Sequence, residues 1–368
     1  MKWLSDSMVK RLREEADLPD LPNVDGTKYR VISRVASGGM GTVYLAQDIN
    51  LGRKLAVKVM NLQDSSGELT ARMLREARIV ALLEHPSIVP IHDVGTLADG
   101  RVFYAMKLVQ GGRLDQYAKE NISLPDLLRV FQKVCEAVAF AHAHGVIHRD
   151  LKPENIMVGA FGEVLVMDWG VAKVLASRAG KNGAQIERGI SDDLDIDARA
   201  TLPLSSGAEA VGETAGGVVI GTPAYMSPEQ VLGKTDLLDE RTDVYALGAI
   251  LYFLTAGRPP FEPISMADAR EQIVNRAPLR PRHFNSKLPR SIEAMALKAL
   301  SKQREERYAT AQEMADDVVR FLDGEPVSAY PENIVERAVR SASQHRFIIL
   351  LILAYLLMRL ILLLWMGR

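Results

Sequence analysis

The sequence predicts an α+β protein with two lobes, a small strand-rich lobe and a larger helical lobe, followed by one apolar helix. Residues 29–107 carry short apolar runs with strand alternation, interrupted by a single helical stretch. Helical periodicity predominates over residues 125–322. Residues 347–366 are apolar except for Arg359. The chain is therefore expected to fold as two unequal lobes with a terminal segment of different character.

The overall composition is that of a globular protein, and it limits the function. The chain has 368 residues, of which 48% are hydrophobic and 25% are charged, enough for one large or two ordinary domains. Its formal net charge of −1 means that the protein has no overall excess of positive charge, which argues against nucleic acid as a partner. The single cysteine, Cys135, lies in an apolar helical pattern and is expected to be a buried, reduced thiol.

The C-terminal segment 347–366 is a candidate transmembrane helix. As an α-helix it would span about 30 Å, the thickness of a bilayer core. The central Arg359 costs about 2.5 to 3.5 kcal/mol on the insertion scale, but the many Leu, Ile and Phe residues, at about 0.3 to 0.6 kcal/mol each, outweigh it. The alternative, a buried helix of a soluble core, would need cover on every side. Two environments are open for Arg359. Its side chain extends toward the membrane surface and is hydrated by local water, or it pairs with another membrane helix.

The charges beside this segment predict its orientation. Arg337, Arg340 and Arg346 precede it and Arg368 follows it, so the positive-inside bias keeps the preceding domain in the cytoplasm. The protein is therefore expected at the cell membrane as a single-pass protein. Residues 1–28 form an N-terminal extension that has early charges and no sustained apolar run, which argues against a cleaved signal peptide.

The stretch V-A-S-G-G-M-G-T-V-Y places Gly38, Gly39 and Gly41 between two predicted strands. Glycines in such a turn let backbone N–H groups approach phosphate oxygens closely. A dinucleotide-binding turn would open a helix at this point, whereas T-V-Y-L-A continues as a strand. The turn is therefore predicted to form a hairpin lid over a phosphate-bearing ligand.

A lysine and a glutamate in the next two predicted elements form a candidate ion pair. Strand alternation in L-A-V-K puts Ala56 and Lys58 on one face, where a small apolar wall and a cation can share a pocket. Glu76 lies on the apolar helical stripe of Met73 and Ala77, where a carboxylate needs a cation. Lys58 is the natural partner, and a solvated edge lysine is the alternative.

The segment V-I-H-R-D-L-K-P-E-N-I-M-V carries Asp150, Lys152 and Asn155 in an irregular stretch between a helix and a strand. The hairpin that follows turns at G-A-F-G and returns the chain to Asp168, beside these residues. Two acids, an amide and a lysine at one place suit Mg²⁺-dependent phosphate chemistry. In that chemistry Asp168 and Asn155 supply oxygen ligands. Asp150 accepts a hydroxyl proton, and Lys152 neutralises developing charge.

Taken in order along residues 29–323, these motifs resemble those of eukaryotic-like serine/threonine protein kinases of the bacterial type. The motifs are G-G-M-G, A-V-K, the helical Glu76, H-R-D-L-K-P-E-N, D-W-G, G-T-P-A-Y-M-S-P-E and D-V-Y-A-L-G. None would suffice alone, but together they are specific. The resemblance implies a bilobal protein kinase fold, with a small antiparallel-sheet N-lobe at 29–107 and a larger helical C-lobe at 111–323. The apolar run beyond this region separately predicts a juxtamembrane linker at 324–346 and one C-terminal transmembrane helix at 347–366.

The resemblance assigns roles to the residues that match the family motifs. Lys58 is expected to bind the α- and β-phosphates of ATP, and Glu76 to hold that lysine in an ion pair. Asp150 is expected to be the catalytic base. Asn155 and Asp168 are expected to bind Mg²⁺, with Mn²⁺ as an alternative metal.

Other matched positions concern the protein substrate and the supporting structure. Lys152 resembles the position typical of serine/threonine kinases, and Thr222 corresponds to the family's threonine near the acceptor site. Glu229 is expected to pair with Arg307. Asp243 resembles the family's buried acid at the start of a long central helix.

The nucleotide pocket is expected to be lined by the glycine-rich turn and its neighbouring strands. Met106 is expected to guard the adenine position, followed by a hinge at 107–109. The expected nucleotide-binding residues are Val35, Gly38, Gly39, Gly41, Val43, Ala56, Lys58, Met106 and Leu108. Ala36 stands where the family has its first glycine, and alanine is harmless there as long as the backbone keeps a negative φ. A modest loss of nucleotide affinity is expected.

The segment between Asp168 and Glu229 is much longer than is usual in the family. Its insertion at 176–217 is rich in Gly, Ala, Ser and Asp, a composition that predicts mobility. In this family the arginine beside the catalytic base often meets an activation-loop phosphate. Thr214 is the candidate phosphosite, an unmodified loop threonine is the alternative interpretation, and the weaker candidates are Thr201, Ser205 and Ser206.

The sequence therefore predicts a membrane-anchored cytoplasmic kinase that transfers the γ-phosphate of Mg-ATP to serine or threonine of proteins, itself included, in signalling. A pseudokinase scaffold without turnover is the alternative, and the intact Lys58, Asp150, Asn155 and Asp168 argue against it. A small-molecule phosphotransferase is a third class, disfavoured because G-T-P-A-Y-M-S-P-E resembles a platform for protein substrates. The expected partners are protein substrates and the membrane, with a homodimer as an open alternative.

Overall fold

The N-terminal lobe of the computed structural model is built on a five-stranded antiparallel sheet. Its strands are β1 (Tyr29–Ser37), β2 (Gly41–Asp48), β3 (Lys54–Met60), β4 (Ile91–Thr96) and β5 (Val102–Met106), in the order β1-β2-β3-β5-β4. The structure describes residues 21–22, 24–37, 41–60, 68–169, 173–174, 223–334, 336–337 and 346–366. The antiparallel sheet predicted for this lobe is confirmed.

The two faces of this sheet have different partners. One face carries a separate apolar cluster, in which the rings of Tyr29 and Phe103 meet edge to face with centroids 5.8 Å apart. The other face packs against α1 (Glu68–Leu82) and joins the core of the C-terminal lobe. Ala56 and Lys58 of β3 lie on this inner face, because side chains alternate along a strand.

The C-terminal lobe is mainly helical, as predicted. Its helices are α2 (Leu114–Tyr117), α3 (Leu124–Ala143), α4 (Pro228–Val231), α5 (Glu240–Ala256), α6 (Met266–Ala269), α7 (Pro281–Phe284), α8 (Arg290–Ala299) and α9 (Ala311–Leu322). Turns of 3₁₀-helix occur at Pro153–Asn155, Pro223–Tyr225, Thr235–Leu237 and Arg304–Glu306, and a π-helical turn at Arg270–Asn275. The short strands β6 (Gly111–Arg113), β7 (Val146–Ile147), β8 (Ile156–Gly159), β9 (Val164–Val166) and β10 (Lys173–Val174) pair as β6-β8-β9 and β7-β10.

Helix α5 is the central element of this lobe because it is buried on nearly every side. Asp239 and Thr242 cap its N-terminus through reciprocal hydrogen bonds. It ends at Gly257, whose φ of 74° lies in the left-handed region that favours glycine. Helix α8 approaches so closely that a Cβ added to Gly248 would lie 2.6 Å from the Cβ of Ala299. The apolar sequence on all sides of α5 predicts this core position.

Helix α3 carries the single cysteine into the core. Ser123 caps its N-terminus by accepting a hydrogen bond from the backbone N–H of Asp126. Cys135 is a free thiol with 0% exposure, as predicted. Burial raises the pKa of this thiol well above its usual value, so the group stays protonated and unreactive.

The chain that follows α9 stays attached to the lobe through one buried carboxylate. Asp317 of α9 is 0% exposed and accepts hydrogen bonds from the hydroxyl and the backbone N–H of Ser328, both at 2.7 Å. The hydroxyl of Tyr308 and the backbone N–H of Ala329 donate to it at 2.9 and 3.1 Å. Val327 is 5% exposed and belongs to the core. The first residues after α9 therefore pack on the lobe.

Replacing Asp317 by alanine is expected to lower the free energy of unfolding by about 3 kcal/mol, because several donors lose a charged acceptor together. Urea unfolding measures the loss. Asp316→Ala removes an exposed carboxylate from the same helix and should cost less than about 0.5 kcal/mol. Equal losses in the two variants would show that Asp317 does not hold this segment.

Helix α10 (Arg346–Met366) covers the segment for which the sequence predicts a transmembrane span. Side chains are described for residues 350–359, 362 and 365 of this helix, and Leu351 is 71% exposed. Within the described residues, no helix meets the length and apolar character that a membrane span requires. The transmembrane helix is therefore not confirmed by the structure and stays a prediction.

Candidate active site

The first part of the site lies between β3, β5 and α1. Lys58 and Glu76 are 8% and 5% exposed, and Nζ of Lys58 lies 3.4 Å from Oε1 of Glu76. The hydroxyl of Tyr104 in β5 donates to the same oxygen at 3.0 Å. The structure thus brings together the lysine and the glutamate that the strand face and the helical stripe indicate.

Lys58 also reaches the C-terminal lobe. Its Nζ lies 2.8 Å from Oδ1 of Asp168, whose side chain is 55% exposed. Burial lowers the pKa of Lys58, but the carboxylates of Asp168 and Glu76 raise it more, so the net pKa is above its usual value. Burial likewise raises the pKa of Asp168, but the charge and hydrogen bond of Lys58 bring the net pKa below its usual value. Lys58 is therefore a cation held between two carboxylates.

Three polar residues meet in the loop between β7 and β8. Nζ of Lys152 lies 2.7 Å from Oδ2 of Asp150. Nδ2 of Asn155 donates to the same oxygen at 3.1 Å and to the backbone carbonyl of Asp150 at 2.8 Å. The backbone N–H of Met167 donates to the carbonyl of Asn155 at 2.8 Å, which holds the adjacent Asp168 beside this loop. The structure thus brings the four predicted residues to one place.

A buried carboxylate fixes the backbone of this loop. Asp243, in the first turn of α5, is 0% exposed and accepts hydrogen bonds from the backbone N–H groups of His148 and Arg149, each at 2.8 Å. Nε2 of His142 lies 2.8 Å from the same carboxylate. Arg149 has a φ of 71°, which is uncommon for a residue other than glycine. Asp243 therefore holds the residue before Asp150 in a conformation that it would not favour alone.

The turn that presents Asp168 to the cleft is fixed by an aromatic side chain. Asp168 has a φ of 56°, also in the left-handed region. The indole of the next residue, Trp169, is 1% exposed and contacts the ring of His148, with centroids 4.6 Å apart. Its Nε1 donates to the carbonyl of Val166 at 3.4 Å, and Nε2 of His148 lies 2.9 Å from the carbonyl of Met167. These contacts hold the turn at both sides of Asp168.

Four of the residues predicted to line the adenine pocket belong to or pack against one apolar core. Ala56 of β3 and Met106 of β5 are register partners, and each is 5% exposed. Val43 of β2 and Leu108, in the hinge, are partly buried against the same core. The backbone N–H of Lys107 donates to the carbonyl of Pro90 at 3.1 Å, which ties the hinge to the segment before β4.

Strands β1 and β2 lead into and out of the glycine-rich turn. Val35, near the end of β1, is 58% exposed. A Cβ added to Gly41 would lie 2.6 Å from the carbonyl oxygen of Val59, so this position has no room for a side chain. Ala36 pairs with Val43, and its φ is not positive. The alanine is therefore unstrained in place of the family's glycine.

Asn155 and Asp168 fit a divalent cation. Because Nδ2 of Asn155 is engaged by Asp150, its Oδ1 is the atom left for a cation. Mg²⁺ is usually bound by one or two protein oxygens together with waters and substrate phosphates. No group of three or more His, Cys, Asp or Glu side chains that could hold a metal occurs in the described parts of the chain. The two donors therefore suit Mg²⁺ that arrives with a nucleotide.

Beyond the cleft, a buried ion pair fixes the short helix α4. Arg307 has a side chain with 0% exposure and donates to the two carboxylate oxygens of Glu229 at 2.8 and 2.9 Å. The next residue, Gln230, donates from Nε2 to the carbonyl of Arg149 at 2.7 Å. Its Oε1 accepts from the backbone N–H of Ser227 at 3.0 Å. The predicted platform for a protein substrate is thus connected to the loop of Asp150.

Several predicted residues lie outside the described part of the chain. They are Gly38, Gly39, Thr214, Thr222, the insertion at 176–217 and the weaker phosphosite candidates Thr201, Ser205 and Ser206. Their roles stay predictions.

Two side chains that complete the site have no clear signal in the sequence. Tyr104 is one apolar position of the strand V-F-Y-A-M, and only the register that sets it opposite Lys58 shows that its hydroxyl reaches Glu76. Gln230 belongs to S-P-E-Q, a pattern that predicts a capping box. That pattern does not predict the contact with Arg149.

Comparisons with known proteins find a matching family model, similar sequences and a similar fold. A family model described as the protein kinase domain matches residues 29–189 and 206–319. The chain is 33% identical over 319 residues to the serine/threonine-protein kinase PknD of Protochlamydia amoebophila, and 36% identical over 310 residues to PknB of Mycobacterium leprae. These matches cover 80% and 82% of this chain, which spans 30% and 44% of the length of the two relatives. The crystal structure of the Mycobacterium tuberculosis PknI kinase domain has a similar fold, with a TM-score of 0.54 at 24% identity over 80% of this chain and 95% of that one.

Proposed function

The chain belongs to the protein kinase family, and from that premise we propose that it transfers the γ-phosphate of Mg-ATP to serine or threonine hydroxyls of proteins, including its own. The observation that carries the proposal is the meeting, at one cleft between the lobes, of Lys58, Asp150, Asn155 and Asp168. The relatives named serine/threonine-protein kinases support it. Lys152, 2.7 Å from Asp150, stands at the position that resembles the one typical of serine/threonine kinases, which favours serine and threonine over tyrosine as acceptors.

Binding and orientation of the nucleotide fall to the N-terminal lobe. Lys58 faces the α- and β-phosphates while Glu76 keeps it charged and aligned. Ala56 and Met106 form the apolar contact for the adenine ring. Asn155 and Asp168 would hold Mg²⁺, which would neutralise phosphate charge when bound.

Proton transfer falls to the loop between β7 and β8. Oδ2 of Asp150 is engaged by Lys152 and Asn155, which leaves Oδ1 to accept the proton of the substrate hydroxyl. The hydroxyl oxygen then bonds to the γ-phosphorus as the bond to the β-phosphate oxygen breaks, and ADP leaves. Lys152 places a positive charge where negative charge develops.

The direct test is phosphate transfer by the full chain. With labelled ATP and Mg²⁺, label should appear on a generic protein acceptor and on the chain, and acid hydrolysis should release phosphoserine or phosphothreonine. Removal of Mg²⁺ with a chelator should abolish phosphate transfer. Mass spectrometry decides whether Thr214 is modified. ATP binding without any transfer to protein would overturn the proposal in favour of a pseudokinase scaffold.

We further propose that α10 anchors the protein in the cell membrane, with the kinase domain in the cytoplasm. The apolar run at 347–366 and the arginines that precede it support this. The same proposal leaves two environments for Arg359: the membrane surface, or a second copy of the helix in a homodimer.

Flotation with phospholipid vesicles tests the anchor. The full chain should float with the vesicles, whereas a chain ending at residue 340 should stay in the dense fraction. Cross-linking in the vesicles should give a dimer that Arg359→Leu abolishes if the arginine pairs with a second copy. If the full chain stayed in the dense fraction together with the shortened chain, the anchor would be refuted.

A further inference from the structure

Tyr104 occupies a position that the family motifs do not assign. It lies in β5 directly opposite Lys58 of β3, and its ring is 5.5 Å from the Nζ of that lysine. Its side chain is buried, with 4% exposure of the residue. The hydroxyl donates to Oε1 of Glu76 at 3.0 Å, closer than the 3.4 Å between the same oxygen and Nζ of Lys58. The nearer donor to the buried glutamate is therefore the tyrosine.

We propose that Tyr104 is a positioning residue for phosphate transfer, which holds Glu76 and with it helix α1 against the sheet whether or not nucleotide is bound. The inference rests on the proposed kinase function, because it concerns the Lys58–Glu76 pair of that reaction. It extends that function by adding Tyr104 as the residue that positions the Lys58–Glu76 pair.

The division of Lys58 between two carboxylates explains why a second donor is useful. Nζ of Lys58 lies 2.8 Å from Asp168 and only 3.4 Å from Glu76, so the lysine is drawn toward the cleft. Nucleotide phosphates would draw it further in the same direction. Glu76 is 5% exposed and would then be a buried carboxylate with a weakened partner, which is costly. The hydroxyl of Tyr104 satisfies that carboxylate independently of the position of the lysine.

The hydroxyl is in the state that this role requires. Burial raises the pKa of Tyr104 above its usual value, and Glu76 raises it further, while Lys58 acts in the opposite direction. The tyrosine therefore keeps its proton and donates it to the carboxylate. Phenylalanine at this position would preserve the ring and its packing but remove the donor.

The test compares Tyr104→Phe with a matched variant, Tyr308→Phe. Tyr308 is also buried, with 0% exposure, and its hydroxyl also donates to a carboxylate, at 2.9 Å from Asp317, but it lies outside the cleft. Both variants of the full chain are assayed at a temperature at which they are folded by circular dichroism. We expect Tyr104→Phe to lower kcat/KM for ATP about tenfold, the equivalent of one hydrogen bond to a charged group, chiefly through a higher KM for ATP. Tyr308→Phe should leave it unchanged, and KM for the protein acceptor should change in neither variant.

A double-mutant cycle with Glu76→Gln tests whether Tyr104 acts through the glutamate. In the Glu76→Gln background, Tyr104→Phe should cause little further loss, because the charged acceptor is already gone. Amide hydrogen exchange should also become faster in residues 68–82 of Tyr104→Phe than in Tyr308→Phe.

Three results would overturn the inference: an unchanged KM for ATP in Tyr104→Phe, the same loss in both tyrosine variants, or an undiminished effect of Tyr104→Phe beside Glu76→Gln. Failure of the proposed function would look different, because the wild-type chain itself would transfer no phosphate. Calorimetric ADP affinity and exchange in α1 would still decide the role of Tyr104 in that case.

Discussion

Asp150→Asn is expected to lower kcat for phosphate transfer about a hundredfold to a thousandfold, the range typical of losing a general base. The amide can still accept the hydrogen bonds of Lys152 and Asn155, so the loop should keep its shape. It cannot take the proton of the substrate hydroxyl. Steady-state kinetics with a protein acceptor measure the loss, and calorimetry should give nearly the same affinity for ADP as in the wild type.

Asp99→Asn is the control, because Asp99 lies in the β4–β5 turn, away from the cleft, with its carboxylate bonded to Arg101. Its kcat should equal that of the wild type. A kcat for Asp150→Asn within a few-fold of that value would mean that Asp150 is not the base. A parallel loss of ADP affinity would mean that the substitution had disrupted the cleft.

Arg307→Ala is expected to lower the free energy of unfolding by about 3 to 5 kcal/mol, the cost typical of removing one partner of a buried ion pair. The side chain of Arg307 has 0% exposure, and its substitution leaves the buried Glu229 without the two guanidinium donors, although the hydroxyl of Thr242 still donates to it. The Nε group of Arg307 also donates to the carbonyl of Ser301 at 2.8 Å. Urea unfolding at neutral pH measures the loss.

The loss should depend on pH in a defined direction. Burial raises the pKa of Glu229, but Arg307 lowers it more, so the net pKa is below the usual value. The contribution of the pair is therefore complete above the ordinary glutamate pKa of about 4.3 and is lost as the pH falls through the lowered folded value. The difference between the wild type and Arg307→Ala should shrink on acidification.

Two further variants distinguish the stability contributed by this buried ion pair from the effect of surface charge in general. Arg258→Ala breaks an exposed pair with Glu262, whose side chains are 45% and 55% exposed, and should cost less than about 1 kcal/mol. Arg307→Met combined with Glu229→Leu should recover much of the stability lost in Arg307→Ala, because no buried charge is left unpaired. A loss in Arg307→Ala as small as that in Arg258→Ala would refute the structural role of the pair.

Local patterns in the sequence were sufficient for much of the site. Strand alternation placed Lys58 on the inner face of β3, and helical spacing placed Glu76 on the buried stripe of α1. The hairpin after Asn155 predicted that Asp168 returns beside it, and the backbone bond from Met167 to Asn155 shows how this is achieved. These inferences needed only periodicity and the length of one hairpin.

Other features depend on contacts between residues that are far apart in the chain. Tyr104 meets Glu76 only because the β3–β5 register sets it opposite Lys58, and register is not legible in one strand alone. The positive φ of Arg149 requires the carboxylate of Asp243 from a distant helix. The sequence after α9 likewise gives no sign that Ser328 returns to Asp317, because a short polar stretch of this kind is typical of a linker.

The indole of Trp169 gives the protein an internal optical reporter. Its ring is enclosed beside His148, and its backbone adjoins Asp168 at the cleft. The chain has three tryptophans, and the other two, Trp3 and Trp365, are at its two ends. An enclosed indole emits at shorter wavelength than one in water, so a change in emission on nucleotide binding can be followed in the unlabelled protein. Titration with ADP and rapid mixing would then give binding constants and rates for the same site without a modified nucleotide.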